Sequence, residues 1–311
     1  MTYLPITGTF IDEITVDIPS QNWGAAEWER EFDTFVEAGL DTVVLIRAGC
    51  GERLACPSTA VSDQVRTLPV YVDLVRLFLD LSAARGIKFY LGLYDSNYHW
   101  YRHDWKTEVR INRAFITEMW QRYGDSPAFA GWYLPHETTD SSLRILDINT
   151  ALAEEVKNLT GLPVLISPYY MGRPDIAGHT EPRTLPRSPE EHGHVWQEIF
   201  ERYTGLVDHC AFQDATTDPL RLVDYTKATV EAAKGSGIAI WSNAETFDRD
   251  MPIRFPPTDW RKLAHRLDAV QPYVEKIITF EFPHFMSPNS MWPSAHGLYR
   301  RYRELIEDRT R

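Results

Sequence analysis

Short apolar runs alternate with amphipathic segments from one end of the chain to the other. Eight of these runs are rich in Val, Ile, Leu, Phe and Tyr, and have the length of buried parallel strands. The predicted strands are Ile6–Ile14, Thr42–Ala48, Lys88–Ser96, Phe129–Glu137, Pro163–Tyr170, His209–Ala215, Ile238–Glu245 and Lys276–Pro283. Regular alternation of this kind is typical of an α/β protein.

The segments between the runs have helical spacing. Trp28, Phe32, Phe35 and Val36 fall on one face of a helix, and Gly39 follows where a C-cap glycine is expected. Eight strands that alternate with helices predict a (β/α)8 TIM barrel. An open doubly wound sheet is the alternative, but it usually carries a Gly-rich phosphate loop after its first strand, and this chain has none.

No change in composition marks a domain boundary, so residues 1–311 are predicted to form one barrel domain. The most irregular segment, at about 171–194, is rich in Pro, Gly, Arg and His. Because it follows the fifth strand, it is predicted to be a long loop over the C-terminal face of the barrel.

Charge excludes two classes of partner. The chain has 32 Lys and Arg against 44 Asp and Glu, a net charge of −12, which disfavours nucleic acid and anionic membranes. The N-terminus has no basic and apolar leader, so a cytoplasmic protein is expected, with a secreted protein whose signal is missing as the alternative. Three cysteines do not suggest a disulfide framework, although Cys50 and Cys56 are close enough in sequence to pair.

Polar side chains collect where the predicted strands end. Barrel enzymes place their chemistry at this end, because the loops there form the open cleft. These polar residues are Asp12, Arg47, Asp95, Glu137, Gln213, Asp214, Asn243, Glu245 and Glu281. The starts of the strands show no similar set of carboxylates.

Two glutamates stand out among these residues. Strand alternation puts Trp241, Asn243 and Glu245 on one face of the seventh strand, and Glu137 ends the fourth. Hydrolysis of a glycosidic bond needs one carboxylic acid to protonate the leaving oxygen and a second carboxylate to attack or to activate water. Glu137 and Glu245 are therefore the predicted catalytic pair.

This layout resembles the retaining clan A glycoside hydrolases. The resemblance implies that Glu137, after the fourth strand, is the acid/base and that Glu245, after the seventh, is the nucleophile. The clan usually carries Asn immediately before the acid/base, whereas this chain has His136. The retaining outcome is therefore expected but stays open.

A closer resemblance covers the N-terminal half of the chain. The segments Ile6–Phe10, Tyr90–Tyr94, Tyr123–Asp125 and Phe129–Tyr133 through Glu137 are similar to the bacterial family called domain of unknown function 4434. That family is glycosidase-like, which implies a barrel and marks Glu137 without naming a sugar.

Further residues near the strand ends are predicted to bind the substrate. Aromatic faces stack on sugar rings, and charged or amide groups bond to sugar hydroxyls or hold the two glutamates. The predicted set is Asp12, Arg47, Tyr94, Asp95, His136, Tyr169, Gln213, Asp214, Trp241, Asn243, Glu281 and Trp292. No cofactor and no metal are expected. The pair His99 and His103 has the spacing of metal ligands but is interpreted as lining a loop beside the cleft.

The sequence thus predicts a glycoside hydrolase that cleaves an oligosaccharide or a polysaccharide. One alternative is a glycan-binding barrel without catalysis. Another is an inverting glycosidase in which Glu281 supplies one of the carboxylates. The sugar, the linkage and the oligomeric state are left open.

Overall fold

The computed structural model describes residues 4–15, 18–100, 102, 104–137, 143–173, 186–248 and 255–310. Eight parallel strands form a closed barrel. The strands are β1 (Ile6–Ile11), β2 (Thr42–Leu45), β3 (Lys88–Gly92), β4 (Phe129–Leu134), β5 (Val164–Ile166), β6 (His209–Gln213), β7 (Ala239–Glu245) and β8 (Lys276–Phe280). Their order around the ring is β1-β8-β7-β6-β5-β4-β3-β2. Each lies inside a predicted strand, so the predicted (β/α)8 barrel is confirmed.

Eight long helices of the described chain accompany the strands. They are α1 (Ala25–Ala38), α2 (Leu74–Arg85), α3 (Trp105–Tyr123), α4 (Leu143–Thr160), α5 (Pro189–Tyr203), α6 (Leu222–Ala232), α7 (Trp260–Val270) and α8 (Pro293–Thr310). Helix α1 buries Trp28, Phe32 and Phe35, and it ends at Gly39, whose φ of 80° is the left-handed conformation of a C-cap glycine.

Several strands are shorter than predicted, and proline explains the early end of two of them. The fourth strand was predicted to reach Glu137 but ends at Leu134, because Pro135 has no N–H to continue the ladder. The fifth strand likewise ends before Pro168. In the predicted loop at 171–194, residues 174–185 lie outside the described part of the chain, and α5 begins within the predicted loop at Pro189.

Contacts group the chain into two compact units. The first, called here the N-terminal unit, comprises Gly8–His136 and Leu143–Ile166. In it, parallel ladders join β1 to β2, β2 to β3, β3 to β4 and β4 to β5. Its core includes the aromatic cluster of Trp28, Phe32 and Phe78, whose rings pack edge to face and stacked.

The second, called the C-terminal unit, comprises Met1–Thr7, Glu137–Ser142 and Ser167–Arg311. Here β7 pairs with both β6 and β8. Tyr170, His192, Trp196 and Phe212 form its aromatic cluster.

Two further observations concern the whole described chain. Within it, no helix is both long and apolar enough to cross a membrane. Cys50, Cys56 and Cys210 are all buried as free thiols, so Cys50 and Cys56 are not paired in this structure.

Candidate active site

Three carboxylates follow one another at the ends of β6, β7 and β8 in the C-terminal unit. Glu245 is the last residue of β7, while Asp214 and Glu281 come directly after β6 and β8. All three are almost completely buried. Because buried carboxylates are rare unless they are bonded or functional, this cluster is the first candidate for chemistry.

The peptide groups of Glu245 are bonded to two charged side chains. Its N–H donates to Oδ1 of Asp214 over 3.0 Å, and its carbonyl oxygen accepts from Nη1 of Arg266 over 2.6 Å. Nη1 of Arg266 also lies 3.6 Å from Oδ1 of Asp214. The main chain at Glu245 is therefore bonded on both sides.

Asp214 differs from an ordinary aspartate in its protonation. Burial raises the pKa of its carboxyl, Arg266 lowers it and Glu245 raises it, with a net rise to about 7. Burial and the neighbouring carboxylate of Glu245 both disfavour the charged form of Asp214, and they outweigh the opposite effect of Arg266.

Glu281 is bonded to the short helix that follows it. Its side chain accepts a hydrogen bond from the N–H of His284 and caps the helix Phe282–Phe285. Nδ1 of His284 also contacts the same carboxylate oxygen. One oxygen of Glu281 is therefore already engaged in local structure.

Glu137 and the predicted amide residues also belong to the C-terminal unit. Glu137 is half-buried, two residues after Pro135. Nδ2 of Asn243 donates to Oγ of Ser167, and Nε2 of Gln213 donates to the carbonyl oxygen of Ser167. The two amides therefore converge on Ser167, the first residue after β5.

In the N-terminal unit, Arg47 and Asp95 form a part-buried ion pair. Nε of Arg47 donates to Oδ2 of Asp95 over 3.1 Å, and Nε1 of Trp100 donates to Oδ1 over 2.8 Å. Burial acts to raise the pKa of Asp95, but Arg47, His136 and these hydrogen bonds outweigh it and hold the pKa below its usual value. Asp95 is therefore an ionised, fully bonded carboxylate.

His136 lies in the same network. Its Nε2 is 2.9 Å from Oε1 of Glu108, which also accepts the N–H of Ser96. Ligand atoms of Asp95, Glu108 and His136 lie within 4.8 Å of one another, so these three residues have the types and spacing that could hold a cation. The guanidinium of Arg47 already supplies positive charge to Asp95, however, which lowers the need for a metal ion there.

The aromatic residues predicted to stack on sugar are placed unequally. Tyr94 is fully buried and its hydroxyl donates to the carbonyl of Gly51. The indole of Trp241 stacks on His209, the first residue of β6, with ring centroids 4.3 Å apart. Both rings therefore take part in packing in this structure.

The other predicted binding residues keep a place near the strand ends. Tyr169 is half-buried and bridges to Gln213, the last residue of β6. Trp292 is half-buried immediately before α8. Asp12 is buried directly after β1, where its Oδ1 accepts the N–H of Thr15.

Sequence reasoning missed Arg266 and Glu108, although each leaves a signal. Arg266 is buried on the face of α7 that also carries Leu263, Leu267 and Val270. Glu108 is buried on the apolar face of α3. A charged residue at an apolar helix position predicts a buried partner, and both side chains have one.

The chain was compared with known proteins. The family model described as domain of unknown function (DUF4434) matches residues 6–292. A solved structure from Bacteroides thetaiotaomicron VPI-5482, described as a "putative alpha-L-fucosidase", is 39% identical over 98% of this chain and 94% of that chain, with a TM-score of 0.92. A search of the curated proteins found no match.

More distant structures share the fold. A glycoside hydrolase family 5 structure from Bacteroides vulgatus ATCC 8482 is 14% identical, covers 90% of this chain and 59% of that chain, and has a TM-score of 0.54. The GH1 β-glucosidase of Exiguobacterium antarcticum B7 is 12% identical, covers 100% and 99%, and has a TM-score of 0.57. Because the family model spans nearly the whole chain, this protein belongs to the DUF4434 family.

Proposed function

We propose that this protein is a glycoside hydrolase that acts on an oligosaccharide or a polysaccharide without a cofactor. The observation that carries the proposal is the group of buried carboxylates at three consecutive strand ends, Asp214, Glu245 and Glu281. They stand on a barrel of the kind found in the glycoside hydrolases that this chain resembles. The relative described as an α-L-fucosidase makes an α-L-fucoside the first substrate to try.

In this proposal Glu137 and Glu245 perform the chemistry. Glu137, as a carboxylic acid, gives its proton to the glycosidic oxygen while the Glu245 carboxylate attacks the anomeric carbon. The aglycone leaves as an alcohol and the sugar remains as an ester of Glu245. Glu137, now ionised, takes a proton from water, whose oxygen attacks the anomeric carbon and releases Glu245. The anomeric configuration is retained.

The first experiment is a screen of 4-nitrophenyl glycosides that includes the α-L-fucoside, with purified wild type, Glu137→Gln and Glu245→Gln. Glu304→Gln is the matched control, because Glu304 is an exposed glutamate on α8 paired with Arg301. We expect wild type and control to cleave the same glycoside, and both active-site variants to lose more than about 10³-fold in kcat.

Two changes to the assay, a better leaving group on the substrate and an added nucleophile, distinguish the acid/base role of Glu137 from the nucleophile role of Glu245. The leaving group of a 2,4-dinitrophenyl glycoside needs no proton, so Glu137→Gln should still form the sugar ester of Glu245. Added azide should then attack this ester in place of water and restore turnover, with a glycosyl azide as the product. Glu245→Gln should gain nothing from azide in this assay. NMR of the first anomer released by wild type then distinguishes retention from inversion.

The main rival is a glycan-binding barrel without catalysis. If wild type cleaves no glycoside, while wild type and both variants bind a glycan equally, the hydrolase proposal is wrong.

A further inference from the structure

At its C-terminal end, strand β7 extends two residues beyond its pairing with the neighbouring strand β6. Asn243 pairs with Gln213, the last residue of β6, so Glu245 has no strand residue opposite it on that side. The chain of β6 turns instead into the 3-10 helix Asp214–Thr216. Oδ1 of Asp214 accepts the N–H of Glu245 that a longer β6 would bind through a backbone carbonyl. A side chain therefore continues the ladder where the strand stops.

The carbonyl side of Glu245 is held by a different element. Arg266 projects from α7, is 4% exposed and donates to the Glu245 carbonyl oxygen. Nη2 of the same guanidinium lies 3.5 Å from Oγ1 of Thr258, in the segment before α7. The Glu245 main chain is thus bonded to residues from two separate elements, which also contact each other.

A contribution to folding stability does not by itself explain why Asp214 and Arg266 are buried together. Removing two opposite charges from water costs free energy, and apolar residues of similar volume stabilise a core as well or better. A buried ion pair is useful when it sets one geometry among several. The group whose geometry Asp214 and Arg266 set is the backbone of Glu245.

We propose that Asp214 and Arg266 form a positioning pair that fixes the carboxylate of Glu245 through its backbone, without themselves touching the sugar. The inference rests on the proposed function, in which Glu245 is the nucleophile. It gives Asp214 a role different from the sugar contact that the sequence predicts. Misplacement of a reacting group by about 1 Å costs about 10²-fold in rate, so a backbone clamp of this kind controls kcat.

The test uses the whole chain of residues 1–311 and two readouts. Backbone hydrogen exchange at Glu245, followed by mass spectrometry with fragmentation, reports the clamp directly. kcat and KM on the glycoside that wild type cleaves report its consequence. The variants are Asp214→Ala, Asp214→Asn, Arg266→Lys and the control Asp268→Asn, because Asp268 lies on the same helix in an exposed pair with Arg309.

Asp214→Ala should accelerate exchange at Glu245 about tenfold or more, since the amide loses its hydrogen-bond acceptor. It should lower kcat about 10²-fold with little change in KM. Asp214→Asn keeps an acceptor oxygen and should restore most of the exchange protection and part of the lost kcat. Asp268→Asn should match wild type in all three quantities.

Different failures have different signatures. Unchanged exchange in Asp214→Ala, or a raised KM with unchanged kcat, overturns the positioning role, the second because it indicates a sugar contact. If Asp214→Ala does not fold, Asp214→Asn and Arg266→Lys decide by the same measurements, and wild-type values in both overturn the proposal. A wild-type protein that cleaves no glycoside and binds a glycan as well as Glu137→Gln and Glu245→Gln do overturns the proposed function, while faster exchange in the Asp214 variants still supports the clamp.

Discussion

Nε2 of His136 lies 2.9 Å from Oε1 of Glu108, and both side chains are completely buried. His136 occupies the position at which the resemblance to clan A predicts asparagine. A shorter amide at residue 136 would not reach Glu108 in the same way and would leave its carboxylate buried without this partner. We therefore expect the pair to stabilise the N-terminal unit.

We predict that His136→Asn lowers the free energy of unfolding by about 1–3 kcal/mol, because it leaves the buried Glu108 side chain without this hydrogen-bond partner. Urea denaturation followed by tryptophan fluorescence measures this loss. Glu108→Gln and the double variant complete a cycle in which the double variant should lose clearly less than the sum of the single variants. Strict additivity would contradict a direct coupling between the two side chains.

His192 should make the protein sensitive to acid. It lies in the aromatic cluster of the C-terminal unit, with Nε2 2.8 Å from Oγ1 of Thr229, and burial, with a smaller contribution from Arg187, lowers its pKa to about 3. Between that value and its ordinary value of 6.5, the unfolded chain binds more protons than the folded protein. The contribution of neutral His192 to the free energy of unfolding is therefore fully present above pH 6.5, and it is lost as the pH falls toward 3.

We expect the stability advantage of wild type over His192→Gln to shrink between pH 6.5 and pH 4, as measured by urea unfolding at each pH. His265→Gln, at an exposed histidine of α7, is the control. An advantage that stays constant over this range would show that His192 does not titrate differently in the folded and unfolded states.

Gly92 at the end of β3 leaves no room for a side chain. A Cβ there would lie 2.2 Å from the carbonyl oxygen of Leu45 and 2.3 Å from that of Ile46, and backbone atoms of a neighbouring strand cannot rotate away. Gly92→Ala should therefore lower the free energy of unfolding by about 3 kcal/mol or more.

Gly297→Ala is the matched control, for which we expect the free energy of unfolding to rise instead of fall. Gly297 lies within α8 and a Cβ there meets nothing within 4 Å, so alanine should stabilise by about 0.5–1 kcal/mol through lower backbone entropy. Thermal unfolding of both variants checks the pair. A Gly92→Ala protein as stable as wild type would show that β2 and β3 are not so closely apposed.

Glu281 separates the retaining proposal from the inverting alternative. Since one of its oxygens is bonded to His284, Glu281→Gln should lower kcat by less than about tenfold, whereas Glu245→Gln should abolish turnover. Initial rates on the same glycoside make the comparison, and the NMR anomer assignment accompanies it. Equal inactivation by both substitutions, together with an inverted first product, would place Glu281 in the catalytic pair.

Several parts of this protein can be predicted from residue order. The barrel follows from eight apolar runs that alternate with helical segments, because strand and helix periodicities are local properties. The position of Glu245 at a strand end follows from the same pattern. The C-terminal limits of the strands were predicted less well, since buried residues such as His136 continue the apolar run after Pro135 has ended the ladder.

The partners of the candidate site residues were decided only by tertiary structure. Asp214 is 31 residues from Glu245, Arg266 is 21 residues from it, and Glu108 is 28 residues from His136. Each partner belongs to a different strand end or helix, so no local periodicity connects it to its target. The sequence by itself determined the barrel and the ends at which polar residues collect. Packing of α7 and α3 against the strands decided which charges meet there, because contacts between distant segments depend on how complete elements dock.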